Sequence, residues 1–260
     1  MDRIEVERAA AALVGARSGR KRLGALPAGA LPASESDAYR IQEALIDGLG
    51  ARRAGWKIGA TSAMAQTMLG VGAPFAGRLL APLIYDSPAE VPAGLLFMRG
   101  LEVEVAFRMA EGLAAPDAPF DRDAVAGAVA AVHPAIEIVD SRYLDWTGAG
   151  AAQTVADNAA HGAWVHGAPR TDIDLLTCDE LSVAIAVNAE LKAEGVGGNA
   201  LGHPLNALTW LAHELARKGE GLKAGDYVST GTCTATVRVE AGDHAVASFG
   251  PLGEVEVTFA

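Results

Sequence analysis

Two glutamates two positions apart, Glu102 and Glu104, are the first residues whose types and spacing suggest chemistry. Residues 101–107 alternate in character, which predicts a β-strand, and alternate side chains of a strand point to the same face. The two carboxylates would lie about 7 Å apart, because a strand rises roughly 3.3 Å per residue. Carboxylates this close repel each other, and a divalent cation, which prefers oxygen ligands, would remove that cost.

A third glutamate separates this pair from the other two Glu-x-Glu pairs, one near each end of the chain. Taken alone, any such pair is most simply a solvated strand face or helix turn. Glu137, however, lies in the short apolar segment 135–139, where a charge is costly unless it is paired or bound to a metal. We therefore predict a divalent-metal site formed by Glu102, Glu104 and Glu137.

Lys57 is a further charged residue in an apolar setting, between Trp56 and Ile58 in the glycine-bounded segment 55–59. One interpretation is a lysine that extends its ammonium to water or forms a salt bridge. The other is a partly desolvated ammonium that binds a substrate carboxylate or donates a proton. The histidines form no metal-binding motif, but His161 follows a polar interruption at 157–158 and is a candidate site residue.

The composition excludes several classes of protein. Half of the 260 residues are hydrophobic and 20% are charged, so a large core is expected, and the net charge of −11 argues against nucleic acid as a partner. Two cysteines cannot form a disulfide framework, and no segment reaches the roughly 20 apolar residues of a membrane span. The apolar patch 9–16 does not suit a signal peptide, so we expect a cytoplasmic protein. The glycines at 195–198 do not open a helix directly, which argues against dinucleotide binding.

The periodicity of the sequence predicts the elements that must position these residues. Four helices are predicted, at 38–49 after a cap at Ser34, 62–69, 121–132 and 205–218. Seven strands are predicted, at 55–59, 101–107, 135–140, 181–188, 234–240, 244–249 and 254–259. The order favours an α+β protein with an N-terminal helical lobe, residues 1–80, and a β-rich metal-binding domain, residues 81–260. The alternative is that the two form one integrated domain.

In the order and spacing of its motifs, the chain resembles the 2-oxopent-4-enoate hydratase / 4-oxalocrotonate decarboxylase family of the fumarylacetoacetate hydrolase superfamily. The resemblance covers nearly the whole chain. The matching motifs are Gly-Trp-Lys-Ile-Gly at 55–59, Leu-Gly-Val at 69–71, Glu-Val-Glu at 102–104, Ala-Ile-Glu-Ile-Val-Asp-Ser-Arg at 135–142, Ala-Asp-Asn at 156–158 and Leu-Gly-His-Pro-Leu at 201–205.

The resemblance implies a mixed β-roll or sandwich of the fumarylacetoacetate hydrolase C-terminal type, with Mg²⁺ or Mn²⁺ on the three glutamates and Lys57 facing the substrate. It implies a homo-oligomeric lyase of aromatic meta-cleavage catabolism, for which a complex with a pathway enzyme is a further expectation. The substrate would be a small 2-oxo or 2-hydroxydienoic acid, for which the metal serves as a Lewis acid. Six positions are predicted to contact the substrate: Thr61, Phe75, Asp140, Arg142, His161 and Thr232.

The chain departs from the family pattern in two places. Residues 72–77 lack the acid that hydratases of this group usually carry after Leu-Gly-Val, and Ala160 stands where a hydroxyl residue usually follows Asp-Asn. Hydration of 2-hydroxypenta-2,4-dienoate is the first hypothesis and decarboxylation of a 4-oxalocrotonate-type acid the second. The alternatives are a related C–C hydrolase or tautomerase, for which His161 would be the water-activating candidate, and a non-catalytic partner subunit.

Overall fold

A computed structural model describes all residues of the chain, 1–260. The six α-helices are α1 Arg3–Ser18, α2 Glu35–Leu49, α3 Ala63–Leu69, α4 Arg122–Gly127, α5 Gly150–Ala156 and α6 Pro204–Arg217. The thirteen strands are β1 Arg53–Gly59, β2 Phe75–Leu80, β3 Ile84–Asp86, β4 Ala89–Val91, β5 Gly100–Met109, β6 Val129–Val139, β7 His161–His166, β8 Ser182–Val187, β9 Glu190–Val196, β10 Tyr227–Thr232, β11 Val237–Arg238, β12 His244–Ser248 and β13 Glu254–Phe259. None of the helices combines the length and apolar character that crossing a membrane would need.

The larger sheet has eight strands, in the order β2-β1-β10-β5-β6-β7-β3, with β11 paired to β5. Most neighbours are antiparallel, whereas β1 runs parallel to β10 and β3 parallel to β7. In a flat sheet β10 and β7 would lie about 14 Å apart, since adjacent strands are spaced by roughly 4.8 Å. Trp164 on β7 nevertheless donates a hydrogen bond of 2.9 Å to Ser229 on β10, so the sheet is rolled around an interior.

The main core lies on the outer side of this roll, where the second sheet covers it. That sheet has five strands in the order β4-β13-β12-β8-β9. Leu101, Val103 and Val105 of β5 point into the main core and are fully buried, together with apolar side chains of β8, β12, β13 and α6. Because strand side chains alternate, the opposite face of β5 presents its glutamates to the interior of the roll.

A smaller core joins the N-terminal helices to the rest of the chain. Leu13 of α1 and Leu45 of α2 pack in one cluster with Tyr143 and Val155. Strands β1 and β2, both within residues 1–80, pair inside the large sheet. The division at residue 80 stays a prediction, and this pairing favours its integrated form.

The predicted helix at 121–132 is partly wrong. Helix α4 ends at Gly127, and strand β6 begins at Val129 and continues through Pro134 to Val139. The pairing of β6 with β5 over its whole length outweighs the local helical pattern, and Pro134 is tolerated because its carbonyl still accepts from Gly167 N–H at 2.9 Å. The predicted strand at 234–240 shortens to β11, and six strands are not predicted from the sequence: β2, β3, β4, β7, β9 and β10.

Candidate metal centre

The three predicted glutamates meet inside the roll. Glu102 is paired in register with Glu137 on the neighbouring strand β6, and Glu104 is paired with Ala135. One carboxylate oxygen from each glutamate lies within 4.8 Å of the others. Glu104 and Glu137 are fully buried, and Glu102 is partly exposed. The strand alternation predicted from sequence therefore places the three side chains in one cluster.

The oxygens of Glu104 have different surroundings. Oε2 accepts hydrogen bonds from the Gly231 backbone N–H at 3.1 Å and from the Ser229 hydroxyl. Oε1 is buried and has no hydrogen-bond partner in the chain. A buried carboxylate oxygen without a partner is costly, so this atom fits a ligand of a bound cation. On the outer side of the cluster, Glu102 Oε1 accepts from Thr236 Oγ1 at 3.1 Å.

Lys57 supplies the positive charge of the cluster. Its Nζ lies 3.0 Å from Glu137 Oε2 and donates to the Ala159 carbonyl at 3.0 Å. Burial alone would lower the pKa of Lys57, but the neighbouring carboxylates, Glu137 foremost, outweigh burial and raise it. Lys57 is therefore an ammonium, as the salt-bridge interpretation requires.

The glutamates differ in their pKa shifts. Burial raises the pKa of Glu104 well above its ordinary value, and the charges of Glu137 and Glu102 raise it further. Burial also raises the pKa of Glu102, whereas for Glu137 the charge of Lys57 and the hydrogen bond from His161 outweigh burial and lower the pKa. Three ionised carboxylates and one ammonium leave two negative charges, which a divalent cation would balance.

His161 begins strand β7 and lies within hydrogen-bond distance of the carboxylate cluster. Its Nδ1 lies 3.3 Å from Glu137 Oε1, and its Nε2 is buried without a partner. An ionised carboxylate only accepts hydrogen bonds, so Nδ1 carries the proton and Nε2 has a free lone pair. A histidine–glutamate pair is therefore present, and its glutamate, Glu137, also belongs to the carboxylate cluster.

The loop before β7, residues 158–160, positions the Ala159 carbonyl that accepts from Lys57. Asn158, Ala159 and Ala160 all have positive φ, at 53°, 53° and 56°. The Asn158 side chain holds this loop against strand β2, accepting from Arg78 N–H at 2.7 Å and donating to Arg78 O at 2.9 Å. Three consecutive left-handed residues are unfavourable without such support. The loop thereby turns the Ala159 carbonyl towards Lys57.

Asp140 and Arg142, two of the predicted substrate contacts, lie in a buried ionic network behind His161. Arg142 Nη1 binds Asp140 at 3.0 Å, Nε binds Asp157 at 2.9 Å, and Nη2 donates to the His161 carbonyl at 3.2 Å. Arg17 also reaches Asp157, at 3.1 Å, and the His161 carbonyl. Each nitrogen of the Arg142 guanidinium thus has a partner within the chain, and the network fixes the backbone of His161.

The other predicted contacts lie around the cluster rather than in it. Thr61 is buried and fills the space that a side chain at Gly231 would need. The Phe75 ring lies against Gly59, its cross-strand partner on the inner face of β1. Thr232 Oγ1 donates to the Thr234 carbonyl at 3.0 Å. Their roles towards a substrate stay predictions.

Two residues beside Glu104 were not found from the sequence. Ser229 donates to Glu104, and Trp164 in turn donates to Ser229. Both lie on strands that were not predicted, and neither is part of a motif that would mark it. Only the roll of the sheet brings them together.

Comparison with known proteins agrees with this fold. The sequence profile of the fumarylacetoacetate (FAA) hydrolase C-terminal family matches residues 81–260. A Paraburkholderia phymatum protein named 2-keto-4-pentenoate hydratase is 36% identical over 264 residues, 99% of this chain and 98% of that protein. A Comamonas testosteroni 2-hydroxyhexa-2,4-dienoate hydratase is 36% identical over 213 residues, and the alignment covers 80% of this chain and 79% of that protein.

The structural comparison is equally extensive. The 4-oxalocrotonate decarboxylase from Pseudomonas putida G7, complexed with magnesium and adipate, superposes with a TM-score of 0.91 at 28% identity, over 100% of this chain and 99% of that chain. The chain belongs to the fumarylacetoacetate hydrolase family, and the resemblance and fold class inferred from sequence are confirmed. The carboxylate cluster and the magnesium of that structure support a divalent metal as cofactor.

Proposed function

We propose that this chain is a divalent-metal-dependent lyase of aromatic meta-cleavage catabolism that hydrates 2-hydroxypenta-2,4-dienoate, the tautomer of 2-oxopent-4-enoate. The observation that carries the proposal is the cluster of Glu102, Glu104 and Glu137 beside the buried ammonium of Lys57. The names of relatives at 36% identity over 99% of the chain support the substrate class. Mg²⁺ or Mn²⁺ is the proposed metal, because three carboxylate oxygens are hard ligands.

The metal would supply a Lewis acid for the C2 oxygen and one carboxylate oxygen of a 2-oxo acid. Glu102, Glu104 and Glu137 would hold it, with Glu104 contributing its unpartnered Oε1. Lys57 donates one of its three N–H groups to the Ala159 carbonyl and lies 3.0 Å from Glu137 Oε2, so it keeps a donor for the substrate carboxylate. Lys57 would therefore orient the substrate by its charged end.

His161 is the proposed group for proton transfer. Its Nε2 is buried and unpartnered, and the bond from Nδ1 to Glu137 fixes the tautomer in which Nε2 can accept a proton. Residues 72–77 offer no acid for this purpose. Positioned general bases of this kind contribute about 10²–10⁴-fold to rate.

Decarboxylation of a 4-oxalocrotonate-type acid is the second candidate. Two observations favour it. One is the superposition with a decarboxylase at a TM-score of 0.91, and the other is apolar Phe75 at the start of β2, within residues 72–77, where an acid is expected for hydration. Both reactions need the same metal and the same lysine, so substrate preference decides between them.

A turnover assay separates these functions. With Mg²⁺ or Mn²⁺ we expect faster consumption of 2-hydroxypenta-2,4-dienoate than of 4-oxalocrotonate, and the reverse order would favour the decarboxylase. Glu104→Gln should lower turnover by more than about a hundredfold. Residues that only hydrogen-bond to a metal ligand cost up to about a hundredfold when replaced, and a ligand itself should cost more. Glu256→Gln, in a Glu-x-Glu pair of the same spacing with a half-exposed side chain, should leave turnover unchanged. Full turnover after Glu104→Gln and chelation would refute metal dependence.

Assembly into a homo-oligomer is part of the proposal. Several large apolar side chains are exposed in the single chain, among them Leu144 at 63% and Met64 at 77%. Light scattering coupled to gel filtration would measure the subunit number, and a monomer at micromolar concentration would contradict this part.

A further inference from the structure

The neighbours of Glu104 form a directed chain of hydrogen bonds that starts at Trp164. The indole Nε1 of Trp164 lies 2.9 Å from Ser229 Oγ, and Ser229 Oγ contacts Glu104 Oε2. All three residues are fully buried. An indole N–H can only donate, so Ser229 must accept from Trp164, and its single proton is then directed at Glu104.

This chain of bonds decides which oxygen of Glu104 is free. Oε2 receives two donors, the Ser229 hydroxyl and the Gly231 N–H, whereas Oε1 receives none. The two donors therefore occupy Oε2 and leave Oε1 free for a cation, in a carboxylate that forms one cluster with those of Glu102 and Glu137. Supporting groups of this kind orient metal ligands and tune their affinity.

The interior of the roll is built to admit the indole. Trp164 packs against Leu79, Ala106 and Ala135, and the two alanines lie on the same strands as Glu104 and Glu137. Small residues at these positions leave space for a large ring between β7 and β10. The ring is thus locked by packing, and its N–H reaches Ser229 in one orientation.

We infer that Ser229 and Trp164 are positioning residues of the metal site, which orient Glu104 to bind the cation through Oε1 alone. The inference rests on the proposed metal-dependent function and deepens it. Nothing in the relatives' names or in the sequence motifs assigns a role to either residue.

Mn²⁺ binding to the full-length protein, followed by the electron paramagnetic resonance of free Mn²⁺, tests this inference. We expect Ser229→Ala to weaken Mn²⁺ binding by roughly ten- to a hundredfold, and Trp164→Phe to weaken it less, because the hydroxyl remains but loses its orienting donor. The double variant should bind Mn²⁺ as weakly as Ser229→Ala alone, since Trp164 acts through Ser229.

Thr230→Val is the matched control for the loss of a buried hydroxyl on the same strand. The Thr230 Oγ1 hydroxyl donates its one proton to the Val105 carbonyl at 2.7 Å rather than to a glutamate of the cluster. This variant should lose thermal stability but keep its Mn²⁺ affinity. If the role of Ser229 were merely structural, Ser229→Ala would show the same pattern.

Several outcomes would overturn the inference. These are Ser229→Ala binding Mn²⁺ within twofold of the unaltered protein, and effects of Ser229→Ala and Trp164→Phe that add in the double variant. If Ser229→Ala does not fold, the Trp164→Phe variant decides the question by itself. Unchanged Mn²⁺ affinity of folded Trp164→Phe would then overturn the inference. No Mn²⁺ binding by the unaltered protein would instead refute the proposed metal site, and this inference with it.

Discussion

Replacing Lys57 by methionine should destabilise the metal-free protein far more than the metal-bound one. Lys57 is 3% exposed and lies 3.0 Å from fully buried Glu137. Removing one partner of a buried ion pair costs about 3–5 kcal/mol, because the other charge stays buried and unpaired. We expect a loss of this size in the free energy of unfolding when EDTA is present.

A bound divalent cation changes this balance. Without metal, Lys57 faces up to three negative charges, those of the three glutamates. With a divalent cation bound to them, it faces a net charge of −1. One unit charge at 4 Å contributes roughly 4 kcal/mol at an effective dielectric constant of 20. We therefore expect saturating Mg²⁺ to reduce the loss by at least about 2 kcal/mol, half of that contribution. By linkage, Lys57→Met should bind Mn²⁺ more than roughly tenfold more tightly while losing turnover.

Urea unfolding with EDTA and with saturating Mg²⁺ measures both losses. Lys192→Met is the control, since Lys192 pairs with exposed Glu190 at the surface and such pairs contribute about 0–1 kcal/mol. Equal destabilisation of Lys57→Met in the two conditions, or a loss no larger than that of Lys192→Met, would refute the electrostatic reasoning.

Further predictions follow from the same site. His161→Gln should keep Mn²⁺ bound but lower turnover by about 10²–10⁴-fold, and unchanged turnover would exclude His161 from proton transfer. Burial raises the pKa values of Glu102 and Glu104 in the metal-free protein, so lower pH should protonate these carboxylates and weaken metal binding. Metal binding at a pH near those pKa values should therefore release protons. Calorimetry of Mn²⁺ binding in buffers of different ionisation enthalpy measures this release, and a buffer-independent heat would contradict it. Asp157→Ala should cost about 3–5 kcal/mol of stability by urea unfolding, because it leaves Arg142 and Arg17 short of a buried partner.

The carboxylate cluster could be predicted from sequence because strand alternation is local. Glu102 and Glu104 share a face by their spacing, and Glu137 was distinguished by its apolar surroundings. The buried setting of Lys57 followed from Trp56 and Ile58 in the same way. Local pattern could not show which strands are neighbours, and the resemblance to a known family supplied that.

Other parts of the fold depend on contacts distant in sequence. Residues 129–132 have a helical pattern, yet pairing with β5 makes them the start of β6. Ser229 and Trp164 are 65 residues apart and meet only because the sheet is rolled. Arg142 as a substrate contact stays a prediction, and the structure surrounds it with Asp140, Asp157 and the His161 carbonyl. A charged residue in a motif does not reveal whether its partner is a ligand or another side chain.

The central claim is that Glu102, Glu104 and Glu137 together bind one divalent cation. Anomalous diffraction from Mn²⁺-soaked crystals of the unaltered protein tests it most directly. The account predicts one strong peak per chain, coordinated by an oxygen of each glutamate, with Oε1 as the Glu104 ligand. A well-ordered site without a peak at saturating Mn²⁺, or a peak bound elsewhere in the chain, would contradict it.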